Sequence, residues 1–238
     1  MHRPIASIAC LVLALTVAIE IAPAAAGRAP VSPHVRSGAT LRIATRSGYH
    51  ATVHRLPAGV RKVMIGSSWH RGCPVALRDL RLIKLVYWGF DKAAHPGKLV
   101  VHRWYANEIA RLFGKLFAAR FPIRRMHLVD RYGAVDMRSM KADNTSTFNC
   151  RYRSGVCCRW SMHAYGKAID INPVENPYVG SWGVSPPNGA KYANRSRRRK
   201  GMIFRKDRVW WAFHAMGWEW GGTWTGSKDY QHFSSNGK

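Results

Sequence analysis

The chain has 238 residues, of which 47% are hydrophobic and 10 are tryptophan, and its formal net charge at pH 7 is +26. This composition allows a sizeable core, and it excludes a chain that is disordered throughout or built of low-complexity repeats. The strong positive charge predicts attraction to polyanions, which include anionic wall polymers, anionic lipid surfaces and nucleic acid.

Residues 1–26 have the pattern of a signal peptide. His2 and Arg3 precede an apolar run from Ile5 to Ile19, and Ala24 to Ala26 form a cleavage site of small residues. The run is shorter than the ~20 residues that a transmembrane helix needs. We therefore expect cleavage after Ala26 and a secreted protein.

The segment that follows, residues 27–62, is basic and rich in small residues, which predicts a tether or a peripheral strand. From residue 63 the chain has a globular composition. Alternation and apolar runs predict strands at Leu80–Tyr87, Leu99–Val101, Ile123–Val129 and Ala168–Ile171. Helical spacing from Ile109 to Phe117, with Pro122 beyond it, predicts a helix, and a second is expected at Asp207–Met216. Helices and short strands without regular alternation favour the α+β class.

The cysteines of the mature chain predict disulfides. Their number is even in an exported protein, which allows three connectivities among Cys73, Cys150, Cys157 and Cys158. A bridge between the adjacent Cys157 and Cys158 would be strained, so we expect one of them to pair with Cys150 and the other with Cys73. A zinc site built from these cysteines is less favoured, because the sequence has no C-x-x-C pair. The polar stretch from Ser139 to Arg159 is expected to be a loop that the cysteines hold in place.

A histidine and an aspartate flank a predicted tight turn. His163 precedes Gly166, which permits a bend, and Asp170 follows on the short strand between two isoleucines. A buried carboxylate needs a partner, and a cation is one such partner. The alternative is an aspartate bonded to backbone amides and a histidine on a loop.

A second pair stands near the C-terminus. Catalytic zinc takes three protein ligands and keeps a position for water, and His232 can supply the third ligand beside His163 and Asp170. Asp229 would then lie close enough to take a proton from the metal-bound water. The alternative is a structural aspartate and a histidine stacked in an aromatic wall.

The two segments together resemble the zinc D-alanyl-D-alanine carboxypeptidase family, which includes VanY-like carboxypeptidases and phage L-alanyl-D-glutamate endopeptidases. That family shows S-x-H-x-x-G-x-A-x-D and a later acid-x-x-His. The chain matches at Ser161, His163, Gly166, Ala168, Asp170, Asp229 and His232. The sequence from His163 to Tyr178 is similar to an extracellular branch that is often labelled extensin-like, and the resemblance extends from about Val63 to Phe233.

The resemblance implies roles for individual residues. His163, Asp170 and His232 correspond to the zinc ligands, and Asp229 to the general base, which many relatives supply as glutamate. Arg151 corresponds to an arginine that holds the substrate carbonyl or carboxylate, with Arg153 and Arg159 as rivals for this role. We expect a peptidase domain over residues 63–238, with a small antiparallel sheet that carries the zinc cleft between flanking helices.

These observations predict a secreted zinc peptidase that cuts peptidoglycan stem peptides, as a carboxypeptidase or as an endopeptidase. Peptidoglycan is the expected partner, and anionic wall polymers are a second candidate. One alternative is a non-catalytic wall- or polyanion-binding module on the same fold. Another is an exported metal-dependent nuclease, which two histidines and one aspartate disfavour because they suit zinc better than magnesium.

Overall fold

The computed structural model describes residues 40–45, 47–153, 156 and 158–238. The predicted signal peptide lies outside the described residues. Strands β1 (Leu41–Ala44), β2 (His50–Arg55), β3 (Leu80–Trp88) and β4 (Ala94–His102) form an antiparallel sheet in that order. The described part of the predicted N-terminal segment therefore contributes two strands to the same sheet as the chain after residue 63. The predicted strands at 80–87 and 99–101 are confirmed within β3 and β4.

Both faces of the sheet pack against apolar clusters, because apolar side chains on β3 and β4 alternate between the two. Ile83, Leu85 and Leu99 belong to the larger cluster, and Leu82 and Val100 to the smaller one. Helix α2 (Ala106–Ala118) packs in the larger cluster, and its predicted apolar positions are all buried: Ile109, Leu112, Phe113, Leu116 and Phe117. Two short helices, α1 (Ala58–Met64) and α3 (Asp136–Lys141), lie elsewhere along the chain.

The C-terminal part of the chain forms two small antiparallel sheets. The first has the order β5 (Ala168–Asp170), β10 (His232–Ser234) and β8 (Glu219–Trp220). The second has the order β7 (Gly183–Ser185), β6 (Tyr178–Gly180) and β9 (Lys228–Asp229). The predicted helix before Gly217 is α4 (Arg208–His214), and Asp207 caps it by accepting a hydrogen bond from the Trp210 amide. The antiparallel sheets and the helices confirm the α+β class.

The strand predicted at Ile123–Val129 is wrong. Ile123 makes only an isolated bridge to Gly89, and a 3-10 turn begins at Val129. The backbone N–H and C=O of His127 bond to the side-chain amide of Asn144. A side chain thus satisfies the backbone groups that a neighbouring strand would otherwise have paired.

The predicted cysteine pairing is also wrong, because Cys73 is bonded to Cys150. The Cα atoms of these two residues are 5.9 Å apart, within the range that a disulfide requires. The Cys150 amide donates to the Ser68 carbonyl, which brings the two segments together. Cys157 lies outside the described residues. Within the described part of the chain, no helix has the length and apolar character needed to cross a membrane.

Candidate metal centre

A tight turn brings His163 towards strand β5. His163 lies in a 3-10 turn, Met162–Tyr165. Ser161 caps this turn, because its hydroxyl accepts a hydrogen bond from the His163 amide. Gly166 ends the turn at φ +66°, a conformation that favours glycine. A Cβ at this position would stand 2.6 Å from the His102 amide nitrogen. The sequence therefore requires glycine here for both its backbone conformation and its lack of a side chain.

The other two residues of the predicted set face each other across a sheet. Asp170 on β5 and His232 on β10 are direct partners in the antiparallel register. Side chains of directly opposed residues lie on the same face of a sheet. The strand pairing therefore accounts for how residues 62 positions apart come into contact.

The three side chains converge on one point. The Nε2 atom of His163 lies 3.1 Å from Oδ2 of Asp170, and Nδ1 of His232 lies 3.0 Å from Oδ1 of Asp170. The two ring nitrogens are 3.3 Å apart. All three residues are buried, with at most 6% of the surface of any of them exposed. The candidate ligand atoms lie within 4.8 Å of one another, as the ligands of a single ion would.

The outer nitrogens of both imidazoles contact backbone carbonyls. His163 Nδ1 lies 2.5 Å from the Thr147 oxygen, and His232 Nε2 lies 3.4 Å from the Lys238 oxygen. A carbonyl only accepts, so each outer nitrogen donates and each inner nitrogen of a neutral ring carries a lone pair. Two lone pairs and a carboxylate then face one another, and this arrangement calls for a positive charge between them. Two imidazoles and one carboxylate with carbonyl partners behind them fit a zinc ion.

The pKa values of Asp170 and His232 follow from the contacts among these three side chains. Burial alone would raise the pKa of Asp170, but the imidazoles of His163 and His232 outweigh it and hold the pKa well below its usual value. Burial would lower the pKa of His232, yet its contact with the Asp170 carboxylate raises it. The carboxylate is therefore ionised at neutral pH and available to a cation.

Asp229 lies on β9, and its carboxyl group interacts electrostatically with the three candidate ligands. Its Oδ1 atom is buried and has no hydrogen-bond partner among the described residues. Burial raises the pKa of Asp229 to about 6, and its charge interacts with His232, Asp170 and His163. A Cβ at Gly221 would stand 2.6 Å from the Asp229 carbonyl oxygen and 2.9 Å from its Cβ. Gly221 therefore leaves the space that the strand carrying Asp229 occupies.

Arg151 has a different set of contacts. Its Nη2 atom forms an ion pair with Oδ2 of Asp136 on α3 at 2.7 Å, while its Nε is buried without a partner in the described chain. Arg153 and Arg159 are exposed, and the Arg153 amide donates to the Arg159 carbonyl. Of these three arginines, Arg151 is thus the least exposed, and an acidic side chain holds it in place.

The segment behind the candidate metal ligands was not recognised from the sequence. We call residues 143–150 the support segment, and every one of them is buried. Ser146 pairs with Asp170 through two backbone hydrogen bonds, the Thr147 carbonyl contacts the His163 ring, and the Asn149 amide donates to the His163 carbonyl. The sequence signal was a run of small polar residues without glycine or proline, which we interpreted as a loop.

Comparison with known proteins gives one match. A family model described as D-alanyl-D-alanine carboxypeptidase matches residues 157–235. No curated protein and no solved structure matches the chain. The matched part contains His163, Asp170, Asp229 and His232, whereas Arg151 precedes it. The match covers less than half of the chain, and it supports the resemblance to the VanY-like D-alanyl-D-alanine carboxypeptidases that the sequence indicates.

Proposed function

We propose that the protein is a secreted zinc-dependent peptidase that hydrolyses peptidoglycan stem peptides. The observation that carries this proposal is the convergence of three buried ligand atoms from His163, Asp170 and His232, beside a second buried carboxyl group on Asp229. The family match supports peptidase chemistry. The Cys73–Cys150 disulfide is compatible with an exported protein.

His163, Asp170 and His232 would hold the ion. When bound at such a site, zinc lowers the pKa of a water molecule to about 7 and polarises a carbonyl group. The protein contributes the orientation of the ligands, because the carbonyls of Thr147 and Lys238 hold the two rings from behind.

Asp229 is the proposed general base. A pKa of about 6 lets this carboxyl group accept a proton near neutral pH and later donate it to the leaving amine. Its Oδ1 is buried without a hydrogen-bond partner among the described residues, while the Gln231 side chain interacts with the carboxyl group. Aspartate is shorter than the glutamate of many relatives, so its carboxyl group reaches less far towards the ion.

Arg151 is the proposed ligand for the substrate carbonyl or carboxylate. Its ion pair with Asp136 fixes one side of the guanidinium, and the buried Nε remains available as a donor. Such a fixed fork suits a planar carboxylate. The proposal covers both a carboxypeptidase and an endopeptidase, and the masses of the released fragments distinguish them.

The test compares zinc content and cleavage in the same samples. We expect about one zinc per mature parent protein and release of stem-peptide fragments from purified peptidoglycan. His163→Ala should lose both, and Asp229→Asn should retain zinc but cleave about 100- to 10,000-fold more slowly. His214→Ala is the matched histidine control, because His214 is exposed and stacks on Trp210.

Other results would redirect the proposal. Zinc binding without cleavage would favour a non-catalytic wall-binding module on the same fold. Absence of zinc from the parent, despite supplied metal, would refute the ligand assignment. Cleavage of DNA that depends on magnesium would favour the nuclease alternative.

A further inference from the structure

A surface cavity of about 670 Å³ lies where the start of β3 meets the end of β4 and helix α1. Its charged lining consists of five arginines and one acid: Arg55, Arg61, Arg78, Arg81, Arg103 and Asp79. We call it the arginine cavity. It contains none of the candidate metal ligands, so it is a separate feature of the molecule.

The charges of the arginine cavity are strongly unbalanced. Five positive side chains against one negative give 5 − 1 = +4 in this cavity. Partial burial lowers the pKa of Arg81, and the charges of Arg55 and Arg103 lower it further. Like charges held this close together create a concentrated positive field, which an anionic ligand would relieve.

Part of the cationic lining is already fixed in position. Arg81 donates from Nη1 to the carbonyls of Arg78 and Leu80 at 2.9 Å each, and Nε of Arg103 lies 3.3 Å from Oδ1 of Asp79. By contrast, the exposed guanidinium groups of Arg61 and Arg78 make no hydrogen bond or ion pair with the described residues. The cavity thus combines a preorganised wall with two arginines that are available to a ligand.

The arginine cavity backs onto the turn that carries His163. The Leu80 side chain lies 3.1 Å from where a Cβ of Gly166 would be, and the His102 amide donates to the Gly166 carbonyl at 2.8 Å. Leu80 lines the cavity, and His102 directly precedes Arg103. A ligand in the cavity would therefore be separated from the metal-binding turn by a single layer of residues.

We propose that the arginine cavity binds the phosphodiester groups of an anionic polymer. Arginine presents a planar fork of donors that matches phosphate oxygens in a bidentate manner. The cavity is larger than one phosphate group requires, so it can take adjacent units of a chain. Its concave shape favours a flexible polymer over the flat surface of a membrane. This site does not depend on peptidase activity, and it would hold the enzyme near its substrate wherever such polymers accompany the wall.

The test measures binding of a soluble glycerol phosphate oligomer to the full mature protein by fluorescence anisotropy at low salt. We expect Arg61→Gln/Arg78→Gln to weaken binding at least about tenfold and to reduce its salt dependence, because it removes direct phosphate contacts. The matched control is Arg197→Gln/Arg205→Gln, which removes the same charge from two exposed arginines outside the cavity. It should change binding less than about twofold.

Three results would overturn the proposal. Equal losses in the two double variants would show attraction by net charge alone. Unchanged binding in the cavity variant would place the oligomer elsewhere. Vesicles of phosphatidylcholine and phosphatidylglycerol and a single-stranded oligonucleotide serve as further binding probes. If the cavity variant loses binding only to the vesicles or only to the oligonucleotide, the cavity is assigned to a lipid surface or to nucleic acid instead. Zinc content is measured in each variant, so that failure of the metal site is recognised separately.

Discussion

Two acidic side chains on neighbouring parts of the chain, Asp170 and Glu175, are almost equally buried but ionise in opposite ways. Their exposed fractions are 4% and 2%. Two imidazoles hold the pKa of Asp170 well below its usual value despite the burial. Burial and the nearby carboxyl group of Asp143 raise the pKa of Glu175 from 4.5 to about 8. The identity of the partners, and not the degree of burial, therefore decides which carboxyl group suits a cation and which suits a proton.

The largest expected effect tests the cation side of this comparison. Asp170→Asn removes the negative charge between the two imidazoles while it preserves the size of the side chain. We expect zinc affinity to fall at least about 1,000-fold, since loss of a mere hydrogen-bond partner of a ligand costs about 10- to 100-fold. Competition with a chromophoric chelator measures this change. Glu175→Gln should leave zinc affinity unchanged, and an equal loss in both variants would contradict the distinction between the two carboxyl groups.

The next largest effect is expected for Gly166→Ala, which alters the turn that carries His163 to the Asp170 centre. The added Cβ would meet the backbone of His102 at a position with φ +66°. We expect the free energy of unfolding to fall by about 2–4 kcal/mol in denaturant titrations. Gly183→Ala is the control, because Gly183 also has a positive φ but nothing within 4 Å of its Cβ position. Its cost should be nearer about 1 kcal/mol, and equal costs would mean that the contact with His102 is unimportant.

Glu175→Gln tests whether the carboxyl group of Glu175 keeps its proton in the folded protein. Oε2 of Glu175 is buried without a hydrogen-bond partner among the described residues, so its ionised form is poorly stabilised. The folded protein binds this proton up to about pH 8, whereas the unfolded chain releases it near pH 4.5. The stability that Glu175 contributes is thus complete at low pH and is lost as the pH rises through about 8.

Glutamine cannot ionise, so the variant should be more stable than the parent at pH 9, by about 1–3 kcal/mol, and similar to it below pH 5. Urea titrations across this range measure the difference. Curves that run parallel at all pH values would show that Glu175 does not change its protonation in this way.

The smallest effect is expected from Arg124→Gln. The guanidinium of Arg124 lies 3.6 Å from the carboxyl oxygens of both Asp143 and Glu175, but its side chain is 41% exposed. Such a pair contributes less than about 1 kcal/mol. Because Arg124 lowers the pKa of Glu175, its removal should extend the loss of stability to higher pH. A shift of the same pH profile to lower values would contradict this role.

Local patterns in the sequence predicted α2 and β3, whose burial follows helical or alternating periodicity, and the short strand β5, which is apolar around Asp170 and buried throughout. The family resemblance assigned His163, Asp170 and His232 to a metal centre, and the structure brings these side chains together. The turn at Gly166 is formed by residues that are adjacent in the sequence, whereas the contact with His232 depends on the pairing of two distant strands. That part of the prediction came from the family resemblance.

The features that the sequence did not reveal depend on contacts between distant segments. The support segment is polar in composition yet buried, because its backbone and side chains pair with other parts of the chain. The bond between Cys73 and Cys150 joins residues 77 positions apart, and it depends on the contact of the support segment with Ser68. The arginine cavity likewise brings together residues of β2, α1 and β3 and the residue that follows β4, which share no common motif.

The Cys73–Cys150 disulfide has a consequence for how the protein matures. It anchors the end of the support segment, whose Ser146 and Thr147 hold Asp170 and His163 from behind. If the protein is exported as proposed, this anchor is missing while the chain remains in a reducing compartment. Oxidation would then precede metallation, and the newly made chain would compete poorly for cytosolic zinc. The hydrolytic centre would be completed only on the side of the membrane where its substrate lies.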